Sequence, residues 1–275
     1  MIMQQRTAFY LSDRTGITAE TLGHSLLTQF EQIAFQEISI PFIDSPAKAR
    51  RAVERINQAA QEDGSRPICF STLVDTELHA IVRQSQGFMV DLFGTFIGPL
   101  EEELQVASSH TVGRAHGMAD MQRYRLRIEA MNFALDADDG ASDKDYQRAD
   151  IILVGVSRCG KTPTCLYLAL QFGLFAGNYP LLEEDLVSGE LPGIIAPYRK
   201  KLYGLLIDAE RLAQIRQERR PDSRYASPQR CREEIRACKR LFEEQAIPWI
   251  DTTTRSIEEI AATILSETGL QRRLF

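Results

Sequence analysis

Residues 150–162 read Asp150-Ile151-Ile152-Leu153-Val154-Gly155-Val156-Ser157-Arg158-Cys159-Gly160-Lys161-Thr162, an apolar run that passes directly into the pattern G-x-x-x-x-G-K-T. Four consecutive β-branched or leucine side chains suit a parallel strand buried on both faces. Gly155 ends that strand. The residues from Val156 to Gly160 can curl so that successive backbone N–H groups point inward, and with the N-terminus of a helix placed over 164–172 they make a cradle for a polyphosphate. Gly155, Val156, Ser157, Arg158, Cys159 and Gly160 are therefore the expected nucleotide-binding loop. Lys161 would act as a point charge on the outer phosphates, and Thr162 would offer its hydroxyl to a nucleotide-bound magnesium ion. Lys161 is expected to meet only phosphate or solvent and to support no core. An ordinary glycine-rich turn is the alternative, and the buried strand before it and the helix after it argue against that. Cys159 has two readings: a thiol of lowered pKa at a helix N-terminus, or a small loop residue, which is preferred.

Working towards the N-terminus, the same unit of strand, polar turn and helix recurs. Residues 7–12 read as a strand, Asp13-Arg14-Thr15-Gly16 as a turn, and 17–30 as a helix; 36–42 and 45–61 repeat strand and helix, with Ser45-Pro46 as cap and first turn. Residues 67–71 and 88–92 add two short apolar strands. Alternation of this kind predicts an α/β fold: an N-terminal doubly wound parallel sheet with right-handed crossovers, plus a C-terminal P-loop kinase-like α/β domain. The expected division is an N-terminal α/β domain over 1–105, a connector with candidate active-site loops over 106–148, and a P-loop nucleotide-binding domain over 149–275. The turn Ser12 to Gly16 falls at a strand's carboxyl end, where such sheets bind ligands. A simple helix cap fits it equally well.

Beyond the P-loop, strands are expected at 175–181, 202–207 and 247–250, and a helix at 256–267. Asp208 closes the run Leu205-Leu206-Ile207 and so resembles a magnesium-holding strand end, but as N-cap of the helix from Glu210 it has the simpler role, which is favoured. Arg211, Arg216, Arg219, Arg220 and Arg224 then follow within fourteen residues. Arginines placed here either close over phosphates, as in small nucleotide kinases, or form a solvated face balanced by Glu210 and Glu218.

Composition sets outer limits. A content of 44% hydrophobic and 25% charged residues is that of a soluble globular protein, and a net charge of -6 argues against a dedicated nucleic-acid partner. No apolar run approaches the length of a membrane span, and no signal-like segment precedes the first strand. The five cysteines lack metal or disulfide spacing, which fits a reducing, cytoplasmic setting. The loose stretch 106–150 gathers Arg114, His116, Asp138 and Asp139 beside glycines, the mix that binds anions and moves protons; a lone loop histidine is more often solvated or structural.

Taken together, Leu11 to Glu20, Arg114-Ala115-His116-Gly117, Asp138-Asp139-Gly140, Gly155 to Thr164, Ser223-Arg224-Tyr225-Ala226-Ser227 and Ile247-Pro248-Trp249-Ile250-Asp251 resemble one family over essentially the whole chain. It is that of the regulatory proteins of phosphoenolpyruvate synthetase and of pyruvate, phosphate dikinase, and Cys159-Gly160 looks like its synthetase-directed branch. The resemblance implies a bifunctional serine/threonine kinase and pyrophosphorylase. ADP would be the phosphoryl donor that inactivates phosphoenolpyruvate synthetase at a threonine, and inorganic phosphate the co-substrate that removes the group as pyrophosphate. Lys161, Asp138, Asp139, His116 and Arg114 are the catalytic candidates, with Asp138 or Asp139 as base. The family pattern carries a histidine just before Asp-Asp-Gly, where this chain has Ala137, so that any proton-carrying role would pass to His116 or Asp138. A homodimer is left open. A P-loop kinase of small metabolites, which would leave about half of the chain unexplained, and a non-catalytic nucleotide sensor, which would bind ADP without turnover, are the competing readings.

Overall fold

In the computed structural model, which describes residues 4–109, 121–138 and 143–273, two compact units divide the chain at 117/118. The first is built on β1 (Gln4–Leu11), β2 (Ile33–Ile40), β3 (Ile68–Ser71) and β4 (Phe88–Asp91), all parallel, in the order β2-β1-β3-β4. The central strand shows why the order is stable. Side chains alternate between faces: Phe9 and Leu11 pack with Ala49, Ala52 and Ile56 of α2 (Pro46–Glu62), while Ala8 and Tyr10 pack with Ala19 and Leu27 of α1 (Ile17–Leu27). Both faces are thus covered by helices, as the unbroken apolar run requires. Helices α3 (Thr76–Val82) and α4 (Leu92–Leu104) complete the unit.

The turn after β1 is not a side-chain cap. Gly16 itself occupies the N-cap position of α1 at φ 81°, without a side-chain hydrogen bond. Asp13 Oδ2 instead accepts from the Val74 backbone N–H at 3.1 Å, and Ser12 Oγ accepts from the N–H of Arg14 at 3.2 Å. The first bond ties two strand-end loops together and the second shapes one of them, at the rim of a cavity of about 820 Å3 whose other wall is the apolar side of α4, with Phe96, Ile97 and Leu100.

The second unit repeats the same strand order. β5 (Ile151–Gly155), β6 (Ala176–Pro180), β7 (Leu202–Leu206) and β8 (Trp249–Asp251) are parallel in the order β6-β5-β7-β8. Every residue of β5 is buried. Gly155 is required where β5 passes β7, because a Cβ there would lie 2.4 Å from the Leu205 carbonyl oxygen. The covering helices are α5 (Met121–Asp136), the short α6 (Asp143–Arg148), α7 (Lys161–Phe172), the short α8 (Glu183–Ser188), α9 (Ala209–Arg219), α10 (Pro228–Glu244) and α11 (Ile257–Thr268). Helix α5, read from sequence as part of a connector, joins this core: Ala130, Phe133 and Ala134 are buried in it, and Phe133 stacks on Phe175 at 5.2 Å. Among the described residues no helix is long and apolar enough to cross a membrane.

Candidate active site

The loop between β5 and α7 lies at the carboxyl end of a central strand, beside the point where strand order reverses, the position at which open α/β sheets bind ligands. Glycine and hydrogen bonds shape it. Gly160 is the N-cap of α7 at φ 94°, and the non-glycine Arg158 also lies in the left-handed region at φ 78°. Thr252 Oγ1 donates to the Cys159 carbonyl at 3.1 Å, and Thr164 Oγ1 to the Gly160 carbonyl at 2.8 Å. The loop is therefore fixed from two sides before any anion binds, which lowers the cost of ordering it on binding.

Two expectations about single residues change. Lys161 is not a free loop lysine: it is the first residue of α7, only 5% exposed, and its Nζ donates to the Val156 carbonyl at 2.9 Å. A buried ammonium needs such a partner, so Lys161 braces its own loop. Cys159 is buried, and burial pushes its thiol pKa up, with Lys161 opposing only in part. The lowered-pKa reading is overturned; the small packed residue stands.

Asp138 reaches the loop through α5. Just past that helix, its Oδ1 accepts from Thr162 Oγ1 at 2.9 Å and from Asn178 Nδ2, and Asn178 Nδ2 also lies 3.1 Å from Thr162 Oγ1. The backbone secures this triangle: the Asn178 N–H, in the middle of β6, donates to the Ala137 carbonyl at 3.0 Å. Asn178 was absent from the sequence-based candidates, although an amide in the apolar run 175–181 is a signal that could have flagged it. Its Oδ1 is buried without a hydrogen-bond partner among the described residues. Three hard oxygen-bearing side chains beside a phosphate loop, one with an unused acceptor, suit magnesium, which takes few protein ligands when it rides on a nucleotide.

The arginines divide by environment. Arg216 is 1% exposed and lies under the loop: Nη2 donates to Ser157 O at 3.2 Å and pairs with Glu234 at 2.8 Å, while Nη1 donates to Tyr225 O at 3.1 Å. Its guanidinium sits 4.1 Å from the centre of the Tyr225 ring, and the Tyr225 hydroxyl donates to Ser157 Oγ at 3.0 Å. Arg216 is thus neither a lid residue nor part of a solvated face, but a strut. Arg219 and Arg220 are exposed. Asp208 takes the favoured role and caps α9, accepting from the N–H groups of Glu210 and Arg211. Arg114, His116 and Asp139 lie outside the described residues.

With this geometry in place, comparison with known proteins decides the family. The kinase/pyrophosphorylase family profile matches residues 8–265. The chain belongs to the kinase/pyrophosphorylase family. Similar proteins, each provisionally named phosphoenolpyruvate synthase regulatory protein, occur in Legionella pneumophila (strain Lens), Alcanivorax borkumensis and Pseudomonas aeruginosa (strain LESB58). The Legionella relative is 54% identical over 270 residues, covering 98% of this chain and all of its own. The Alcanivorax relative is 54% identical over 98% of this chain and 99% of its own, and the Pseudomonas relative 54% identical over 99% of both. Members of a kinase/pyrophosphorylase family are phosphotransferases, and the residues gathered around Gly155 to Thr162 are of the kind that phosphoryl transfer uses.

Proposed function

We propose that this protein switches phosphoenolpyruvate synthase off and on by reversible phosphorylation of a threonine, working in the cytoplasm. The observation that carries the reading is the Asp138–Thr162 hydrogen bond at the mouth of the P-loop, in a chain that relatives bearing the regulator's name match end to end. In the inactivating direction the target hydroxyl oxygen attacks the β-phosphorus of ADP. The bond from that phosphorus to the bridging oxygen breaks, AMP leaves, and the hydroxyl proton passes to a carboxylate. Asp138 is our choice of base: Thr162 and Asn178 occupy its Oδ1, and no described residue donates to Oδ2. In the activating direction an oxygen of orthophosphate attacks the phosphothreonine phosphorus, the bond from that phosphorus to the threonine oxygen breaks, the threonine oxygen takes up a proton, and the pyrophosphate so formed departs.

Lys161 and the backbone N–H groups of 156–160 would hold the nucleotide's phosphates, and their fixed positions would mean little reorganisation as charge develops. Thr162 and Asn178 would hold magnesium, which would draw charge from the phosphate oxygens. Asp139, His116 and Arg114 are proposed as further catalytic residues.

The test is incubation with ADP and histidine-phosphorylated phosphoenolpyruvate synthase, with the new phosphate located by mass spectrometry. Phosphothreonine near the catalytic histidine is expected. Phosphorylation of a metabolite without the protein partner, or ADP binding without turnover, would replace this reading with the metabolite kinase or the sensor.

A further inference from the structure

A small cavity of about 270 Å3 opens against the outer side chains of the P-loop, lined by Ser157, Arg158, Arg219, Arg220 and Tyr225. Three arginines from two elements line it, and no carboxylate does. Several arginines on α9 and α10 are compensated: Arg216 by Glu234, Arg230 by Glu183 and Glu234, and Arg232 by Glu210. Among the described residues, Arg158, Arg219 and Arg220 have no ion-pair partner. Cations near the end of α9 would be favoured by the helix dipole alone. That does not account for Arg158, which comes from the P-loop and projects from a backbone at φ 78° that a non-glycine residue seldom adopts.

The floor of the cavity is rigid. Tyr225 and Ser157 are hydrogen-bonded to each other and both are held by the buried Arg216, whose Nε has no acceptor among the described residues. Like charges gathered around a preformed cavity repel one another, and an anion relieves that repulsion. Planar guanidinium forks match the oxygens of a tetrahedral phosphate, and the Ser157 hydroxyl, which accepts from Tyr225, keeps its own hydrogen as a neutral donor.

We propose that this cavity is an anion subsite for a phosphate group that the P-loop cradle does not itself hold. The inference rests on reading the P-loop as the nucleotide site. Two sources offer the same chemistry: free orthophosphate, and the α-phosphate of a bound nucleoside diphosphate.

The experiment measures equilibrium binding of inorganic phosphate, with and without saturating ADP, and of ADP itself, to the full chain. The variants are Arg219→Gln/Arg220→Gln, Arg158→Asn, Lys161→Ala and a control of equal charge loss, Arg211→Gln/Arg232→Gln. Arg158→Asn removes the charge while keeping a residue that tolerates the left-handed backbone. Loss of charged hydrogen bonds predicts weakening of about tenfold or more. If Arg219→Gln/Arg220→Gln and Arg158→Asn weaken phosphate and leave ADP within twofold, the subsite takes free orthophosphate. If they weaken ADP, with or without phosphate, it takes a nucleotide phosphate. Affinities for both ligands within twofold of the unmodified protein, or an equal loss in the control, would overturn the subsite. Lys161→Ala separates the two readings: unchanged ADP affinity there defeats the P-loop assignment and leaves the arginine result standing on its own.

Discussion

The Thr162 hydroxyl donates to Asp138 Oδ1 over 2.9 Å, joining the residue after the P-loop lysine to a carboxylate twenty-four positions earlier in the chain. The bond fixes one oxygen of the carboxylate, and no described residue donates to the other. Asp138→Asn keeps the shape but cannot accept a proton, so the ADP-dependent rate should fall by about 10²–10⁴-fold. ADP affinity should change by no more than a few-fold. Initial rates with calorimetric ADP binding check this, and a variant that keeps a tenth of the rate would remove Asp138 as base.

Lys161 should be costly twice over. Its Nζ satisfies the Val156 carbonyl inside the protein, so Lys161→Ala leaves a buried acceptor unpaired as well as stripping charge from the site. A loss of about 1–3 kcal/mol in nucleotide-free stability is expected, alongside a rate loss on the order of 10² or more. Urea melts without ADP supply the first number. Unchanged stability would mean that the lysine does not brace its loop.

How far the sequence could be read follows from where each signal lies. The P-loop and the β-strands were legible because their signals are local: an apolar run of the right length, a glycine where the backbone needs one, a helix behind it. Asp208 could be assigned as a cap for the same reason, since its partners are two and three residues away. What escaped was long-range. Asn178 lies forty residues from Asp138 and Glu234 eighteen from Arg216, and no periodicity brings such pairs together. Helix α5 is the intermediate case: its pattern was visible, but its docking on the P-loop unit depends on Phe133 meeting Phe175 across forty-two residues.

Thiol chemistry offers an independent check of the loop's packing. All five cysteines are buried, and burial raises the Cys159 pKa, so the thiolate fraction at a given pH lies below that of a free cysteine. Native protein treated with iodoacetamide at about pH 8 should therefore show almost no alkylation at Cys159, and full alkylation after denaturation. Rapid native labelling of Cys159, read by peptide mass spectrometry, would restore the reactive-thiol reading and place the loop in a more open conformation.

The buried arginine yields the last expectation, and its size depends on what the substitution leaves behind. Breaking a buried ion pair from one side costs about 3–5 kcal/mol, mostly because the abandoned charge remains in the interior. In Arg216→Met the abandoned carboxylate is Glu234, which is only partly buried and keeps Arg230 Nε at 2.9 Å. The loss should therefore fall at the low end, about 3 kcal/mol, and include the Ser157 and Tyr225 carbonyls that lose their donor. Glu234→Gln leaves the more deeply buried charge in place but should cost less than Arg216→Met, because the glutamine amide oxygen can still accept from the arginine, which also keeps two backbone acceptors and the Tyr225 ring. Tyr225→Phe, which deletes only the hydroxyl bond to Ser157, should cost about 0.5–1.5 kcal/mol. Chemical denaturation of the three variants tests the ranking, and a Glu234→Gln loss larger than that of Arg216→Met would show that the ion pair, not the backbone contacts, holds the arginine under the loop.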